Sequence, residues 1–133
     1  MGIDYGMKRT GISVTDPMQI IVSGLETRET TGLIDFIKEY SKTEKLDAFV
    51  VGYPFPEGGW GDKLFKQKLD KFILELKKLF PGTEVHLHDE RFSSMRAKEI
   101  MLQSGMNRKK RQDKALLDKT SAIVILQEYL GHI

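Results

Sequence analysis

Asp4, Glu90 and Asp118 have the strongest claim to chemistry in this 133-residue chain. Asp4 closes a first short strand, just before a glycine. Glu90 falls just past the end of the last expected strand, and Asp118 sits near the first turn of the final expected helix. In an open sheet the carboxyl ends of parallel strands form the usual binding crevice. Hard oxygen ligands gathered there suit Mg²⁺ or Mn²⁺, which take few carboxylates and keep positions free for water and phosphate.

Each acid also has a plainer reading. An Asp before Gly6-x-x-x-x-Gly11 serves turn chemistry well. Asp89 and Glu90 fit a solvated strand end, and strand alternation sends them to opposite faces, so at most one reaches a shared site. Asp118 near a helix N-terminus is favourable through the helix dipole alone, and Asp113 is the next candidate if Asp118 points elsewhere. His86 and His88 alternate on one strand face and read as packing or surface residues rather than ligands or bases.

The elements that must position these acids follow from periodicity and turn residues. Gly2 to Gly6 reads as a short strand entering a glycine turn, Thr10 to Thr15 as a second strand, and Ile20 to Arg28 as a third. Their short connections suit an antiparallel meander, since parallel pairing needs a longer crossover. So little precedes Asp4 that further native N-terminal residues are expected. Thr30 or Thr31 is placed to cap a helix carrying Leu33, Ile34, Ile37 and Tyr40 on one face. Leu46 to Val51, ended by Gly52, reads as a buried strand.

A proline- and glycine-rich loop, Tyr53 to Gly61, precedes a helix from Leu64 to Phe80, whose stripe is Phe65, Leu69, Phe72, Ile73, Leu76 and Phe80. Thr83 to His88 is a further strand. Ser93 or Ser94 then caps a helix to about Ser104, residues 105–114 form a basic connection, and a last helix starts near Ala115. The order predicts an α/β fold: a mixed five-stranded sheet, three antiparallel strands and then parallel ones, with helices on both faces.

The bulk numbers agree with a single domain over residues 1–133. The chain is 40% hydrophobic and 30% charged, as ordinary globular proteins are. With no cysteine, disulfide and thiolate chemistry are excluded and a reducing cytoplasm is the expected location. No apolar run approaches the roughly 20 residues that span a bilayer, so no membrane partner is expected. The net charge of +2 does not by itself imply nucleic acid.

Four segments occur in one order: Gly2-Ile3-Asp4-Tyr5-Gly6-Met7-Lys8-Arg9-Thr10-Gly11-Ile12, Val50-Val51-Gly52-Tyr53-Pro54, Asp89-Glu90-Arg91-Phe92-Ser93-Ser94 and Asp118-Lys119-Thr120-Ser121-Ala122. Together they resemble the YqgF family, also called RuvX-like or Holliday junction resolvase-like, over essentially the whole chain. The resemblance implies a ribonuclease H-like fold and phosphodiester cleavage dependent on a divalent metal. It also implies a task in maturing the precursor of small-subunit (16S) ribosomal RNA, or in resolving branched DNA. It maps the family's acidic positions onto Asp4, Glu90 and Asp118, and its glycine after the fourth strand onto Gly52. Tyr53, Ser93-Ser94 and Ser121-Ala122 depart from the usual aliphatic residue, threonine pair and alanine pair. Ser121 bears on how closely the last helix approaches the sheet.

For a phosphodiester the acid set makes sense. Two metals roughly 4 Å apart can activate a water on one side and stabilise the leaving oxygen on the other. Asp4 would bridge them, with Glu90 and Asp118 each holding one. Arg108, Lys109, Lys110 and Arg111 form the densest positive cluster and lead into the helix of Asp118, where they would meet phosphates unless they are only a solvated loop. Lys8 and Arg9 would contact phosphate or shape the turn, and Gly52 and Arg91 join this nucleic-acid set. Phe55 and Trp60 would stack on an unpaired base or pin their loop to the core.

The expected partner is structured RNA or branched DNA, with the chain as a monomer or homodimer. Two other functions compete. Asp-x-Gly near a chain start also resembles the phosphate loop of actin-like ATPases and sugar kinases, but those enclose nucleotide between two such domains. A non-catalytic RNA-binding regulatory module would leave the three acids vestigial.

Overall fold

The computed structural model describes residues 1–54, 63–90 and 93–133. Five strands form one sheet: β1 (Gly2–Asp4), β2 (Arg9–Thr15), β3 (Val22–Glu29), β4 (Ala48–Tyr53) and β5 (Glu84–Asp89), in the spatial order β3-β2-β1-β4-β5. The β1–β2 and β2–β3 pairs are antiparallel, while β1–β4 and β4–β5 are parallel. The helices are α1 (Leu33–Thr43), α2 (Lys63–Leu79), α3 (Ser93–Gln103), α4 (Arg108–Arg111) and α5 (Lys114–Leu130). The mixed sheet and its helix-covered faces are as the sequence predicts.

Alternation along the strands divides the molecule into two layers. Ile3, Ile12, Phe49 and Val51 face α1 and α2, where they meet Leu33, Ile37, Leu69, Phe72, Ile73 and Leu76 in the main core. Each such side chain contributes roughly 1.5–3 kcal/mol on full burial. Val50 points the other way and packs on Ile125 and Leu126 of α5. Asp4 has the parity of Gly2, so it leaves the core layer and faces α5.

This second face is shaped by missing side chains. A Cβ on Gly11 would fall onto the backbone carbonyl of Asp118, and one on Gly52 would sit 2.7 Å from Ile125 Cδ1 and 3.3 Å from Glu90 Cβ. Gly2 and Gly24 meet α5 in the same way, through Ala122 and through Lys119. The helix therefore lies on bare backbone from β3 to β4. Ser13 Oγ donates to the carbonyl of Ala122 at 2.7 Å, fastening the crossing. Ser121, the neighbour of Ala122 on the helix, is buried.

Four details depart from the sequence reading. Ile20 and Ile21 belong to an exposed turn rather than to β3, and the Asp16 carboxylate accepts from both of their backbone N–H groups. Neither Thr30 nor Thr31 caps α1: Thr30–Gly32 forms a 3-10 turn, and the helix starts from Gly32 without a side-chain cap. Thr30 is used elsewhere. Its hydroxyl donates to the Gly6 carbonyl, so the contact between Thr10 and Thr30 must be donated by Thr10, which in turn accepts from the Gly6 N–H. The ring ties β3 to the loop after Asp4. Within the basic connection, Arg108–Arg111 forms one helical turn capped by Asn107. Finally, α5 begins at Lys114 with Asp113 as its cap, so Asp118 lies in the second turn. The loop carrying Phe55 and Trp60 lies outside the described residues, as does Arg91.

Gly11→Ala should destabilise the protein by roughly 2–3 kcal/mol in denaturant unfolding, because the atoms in the way are helix backbone and cannot swing aside. Gly82→Ala, which meets nothing within 4 Å, should stay within about 0.5 kcal/mol of the parent. Equal effects at the two positions would refute the close crossing.

Candidate metal and nucleic-acid site

Asp4 is the last residue of β1 and pairs across the antiparallel ladder with Gly11. Because Gly11 also lies under the Asp118 carbonyl, the same glycine sets β1 and α5 side by side at the two acids. Glu90 arrives from the other flank. Its N–H donates to the Tyr53 carbonyl, and its own carbonyl accepts from both the N–H and the hydroxyl of Ser93. Tyr53 pairs with Asp89 and sends its hydroxyl to Asp70 on α2, so Asp89 shares the core-side parity. Glu90, one residue on, turns over Gly52, with its Oε2 3.5 Å from where a Cβ would stand.

The electrostatics follow from this crowding. The Asp4 carboxyl is pushed up to about 8, first by burial and then by the charges of Glu90 and Asp118. Glu90 is also raised, by burial and by Asp89. Asp118 is more open and has a cation: Arg9 Nε lies 3.2 Å from its Oδ2, with side-chain exposures of 41% and 26%. An ion pair this exposed is worth about 0.2–1 kcal/mol.

Fit to a divalent cation can be judged from these groups. All three donors are hard carboxylate oxygens, and two are destabilised as anions by their surroundings. Ser121, three residues beyond Asp118 on the helix, buries a hydroxyl with no hydrogen-bond partner among the described residues. Such a site favours a cation with its hydration shell. Among the described residues no three acidic or histidine side chains stand close enough to hold an ion as they lie. The Asp118 carboxylate, turned to Arg9, would have to rotate inward. The donor chemistry fits Mg²⁺ or Mn²⁺.

The other candidates fall in three places. Lys8 is exposed in the loop after Asp4, and its carbonyl accepts from Thr30 N–H. Gly52 gives space to Glu90 rather than contacting solvent. Arg108, Lys109 and Lys110 are exposed and Arg111 is half-buried, on a turn leading straight into the Asp113 cap. Asp113 accepts from the N–H groups of Ala115 and Leu116, a structural duty that removes it as an alternative to Asp118. Asp118 stands five residues on, roughly 7–8 Å along the helix at 1.5 Å per residue.

His86 pairs with Glu84 at 2.9 Å and packs on Tyr129, and His88 lies 3.6 Å from Glu128, which also holds Arg96. Both histidines are occupied at the surface. Sequence reading missed Ser93 as the holder of the Glu90 backbone and Arg9 as the partner of Asp118. The first was visible as a hydroxyl three residues past the acid, but nothing local marks a pair 109 residues apart.

A sheet in this order, with helices on both faces, is the ribonuclease H-like fold. A family model described as RuvX, Holliday junction resolvase, matches residues 1–132. Among curated relatives, one from Flavobacterium johnsoniae is 45% identical over 131 residues, covering 98% of this chain and 94% of its own length. Others from Bacteroides fragilis and Porphyromonas gingivalis are 45% and 41% identical, covering 98% and 99% of this chain and 94% and 95% of their own. All three carry the name "Putative pre-16S rRNA nuclease". This chain belongs to the RuvX family.

The raised Asp4 carboxyl gives a signed pH dependence. Its folded pKa lies above the unfolded value of 3.8, so its charge costs nothing below about pH 3.8 and destabilises increasingly as pH rises to about 8. In metal-free buffer Asp4→Asn should therefore raise stability at pH 8 by roughly 1–3 kcal/mol and change it little near pH 4. A strong loss of stability at pH 8 would make Asp4 a structural residue of the turn.

Proposed function

We propose that residues 1–133 act as one cytoplasmic nuclease domain that hydrolyses phosphodiester bonds of structured nucleic acid, with Asp4, Glu90 and Asp118 as its metal-binding and catalytic acids. The observation that carries this reading is the convergence of three acids from separate elements: Asp4 pairs with Gly11, which lies under the Asp118 carbonyl, and Glu90 folds over Gly52. The names of the relatives favour precursor 16S ribosomal RNA as substrate. The family description keeps branched DNA as the second reading.

Mg²⁺ or Mn²⁺ bound by these acids would supply water activation and stabilisation of the leaving oxygen. The chain's own part is to hold the donors in place. Asp4 is fixed by the sheet, Glu90 by its two backbone anchors, and Asp118 by the crossing over Gly11. Lys8, Arg9, Arg91 and the Arg108–Arg111 turn would bind backbone phosphates, which positions a substrate without reading its sequence.

A panel of precursor ribosomal RNA, four-way DNA junction and linear duplex, each with Mg²⁺ or Mn²⁺ and with chelator, tests the activity. Cleavage should require metal and favour one structured substrate. Asp4→Asn, Glu90→Gln and Asp118→Asn should each lower it by roughly two orders of magnitude or more, since each removes a charged oxygen from the donor set. Full activity in Asp4→Asn would return the chain to a binding-module role.

Replacing Arg108, Lys109, Lys110 and Arg111 together with alanine should flatten the slope of log affinity against log salt by up to about 3–4, since each phosphate they neutralise adds roughly 0.9 to it. An unchanged slope would make the segment a solvated turn.

A further inference from the structure

Arg9 is the first residue of β2 and Asp118 lies in α5, and their contact uses only the guanidinium Nε, leaving both terminal nitrogens outside it. Both side chains are open to solvent, so the pair is too weak to be needed for folding. The adjoining ring of Gly6, Thr10 and Thr30, with the Gly11 crossing, already fixes the local backbone. Among the described residues Asp118 is also the one acid of the set with a cation beside it, and that cation follows exposed Lys8 in the chain.

We propose that Arg9 is a latch on the metal site: in the free protein its guanidinium holds the Asp118 carboxylate that a divalent cation needs, and cation binding releases it to a substrate phosphate. The inference rests on the nuclease reading above, with Asp118 as a metal ligand. While Asp118 holds Nε, Arg9 can offer a phosphate only its terminal nitrogens beside a repelling carboxylate, whereas a divalent cation neutralises Asp118 and frees the side-on Nε–Nη edge for a bidentate phosphate contact. Metal and nucleic acid then strengthen each other's binding through one side chain, as reciprocal linkage requires.

The first test is calorimetric titration of Mn²⁺ into the metal-free protein without nucleic acid. Arg9→Gln should bind Mn²⁺ about two- to fivefold more tightly than the parent, the range set by losing an exposed ion pair. Lys8→Gln, which removes the same charge one residue away, should change it less. Equal effects of the two variants would overturn the latch and leave the metal site standing. Absence of Mn²⁺ binding in both parent and Arg9→Gln would overturn the metal reading and the latch with it.

The second test measures affinity for a four-way DNA junction in chelator, where cleavage cannot intervene, for Asp118→Ala, Arg9→Gln and the double variant. Asp118→Ala should tighten binding when Arg9 is present and clearly less when it is absent. Strictly additive effects would overturn the release to phosphate.

Discussion

Everything at the candidate site depends on how closely α5 lies on the sheet. A helix normally rides about 10 Å above a sheet on interleaved side chains, and at that height a short Asp on the helix cannot act on a short Asp on a strand. Here Gly11 removes the spacer on one side of β1, and Gly52 removes it on the other side, on β4, where Glu90 folds over. The approach has its own cost, because glycine in a strand packs poorly and loses more entropy on folding. The large apolar layer on the opposite face, from Ile3 and Phe49 through Leu76, stabilises the domain independently of that cost. One face of the sheet supplies stability and the other supplies proximity.

Proximity creates the electrostatic tension that gives the site its character. Three acids from β1, the end of β5 and α5 come together, and burial raises the carboxyls of both Asp4 and Glu90. Placing like charges together is unfavourable for folding and is a common mark of a functional site. Arg9 pairs with Asp118, and among the described residues no cation pairs with Asp4 or Glu90. The unbalanced negative charge therefore falls where a hard cation would sit, and the basic turn α4 leads directly into the helix of Asp118.

Much of this was legible in the sequence, for reasons that can be stated. The apolar run of Leu46–Val51 and the stripe of Leu69, Phe72, Ile73 and Leu76 are strong signals, and the short links before β3 forced antiparallel pairing. The three acids were singled out by the four ordered segments around them, since their places at element boundaries equally suit a turn, a strand end and a helix N-terminus. What stayed hidden was the partner each side chain takes. Thr30 has the composition of a helix cap but spends its hydroxyl on Gly6, and Ile20 and Ile21 have strand propensity but are held in a turn by Asp16. Gly11 and Gly24 read as turn or weak-strand residues until the helix across them is known. The pairing of Arg9 with Asp118 has no local trace, since only the crossing brings them together.

If the crossing of α5 over Gly11 assembles Asp4, Glu90 and Asp118 into one cation site, a divalent metal must bind there. A crystal soaked in Mn²⁺ and measured for anomalous scattering at the manganese edge tests it directly. The account predicts an anomalous peak bound by an Asp4 oxygen, with Glu90 and an inward-turned Asp118 completing the protein ligands. Manganese at saturating concentration that binds only elsewhere, while Asp118 stays on Arg9, would contradict it.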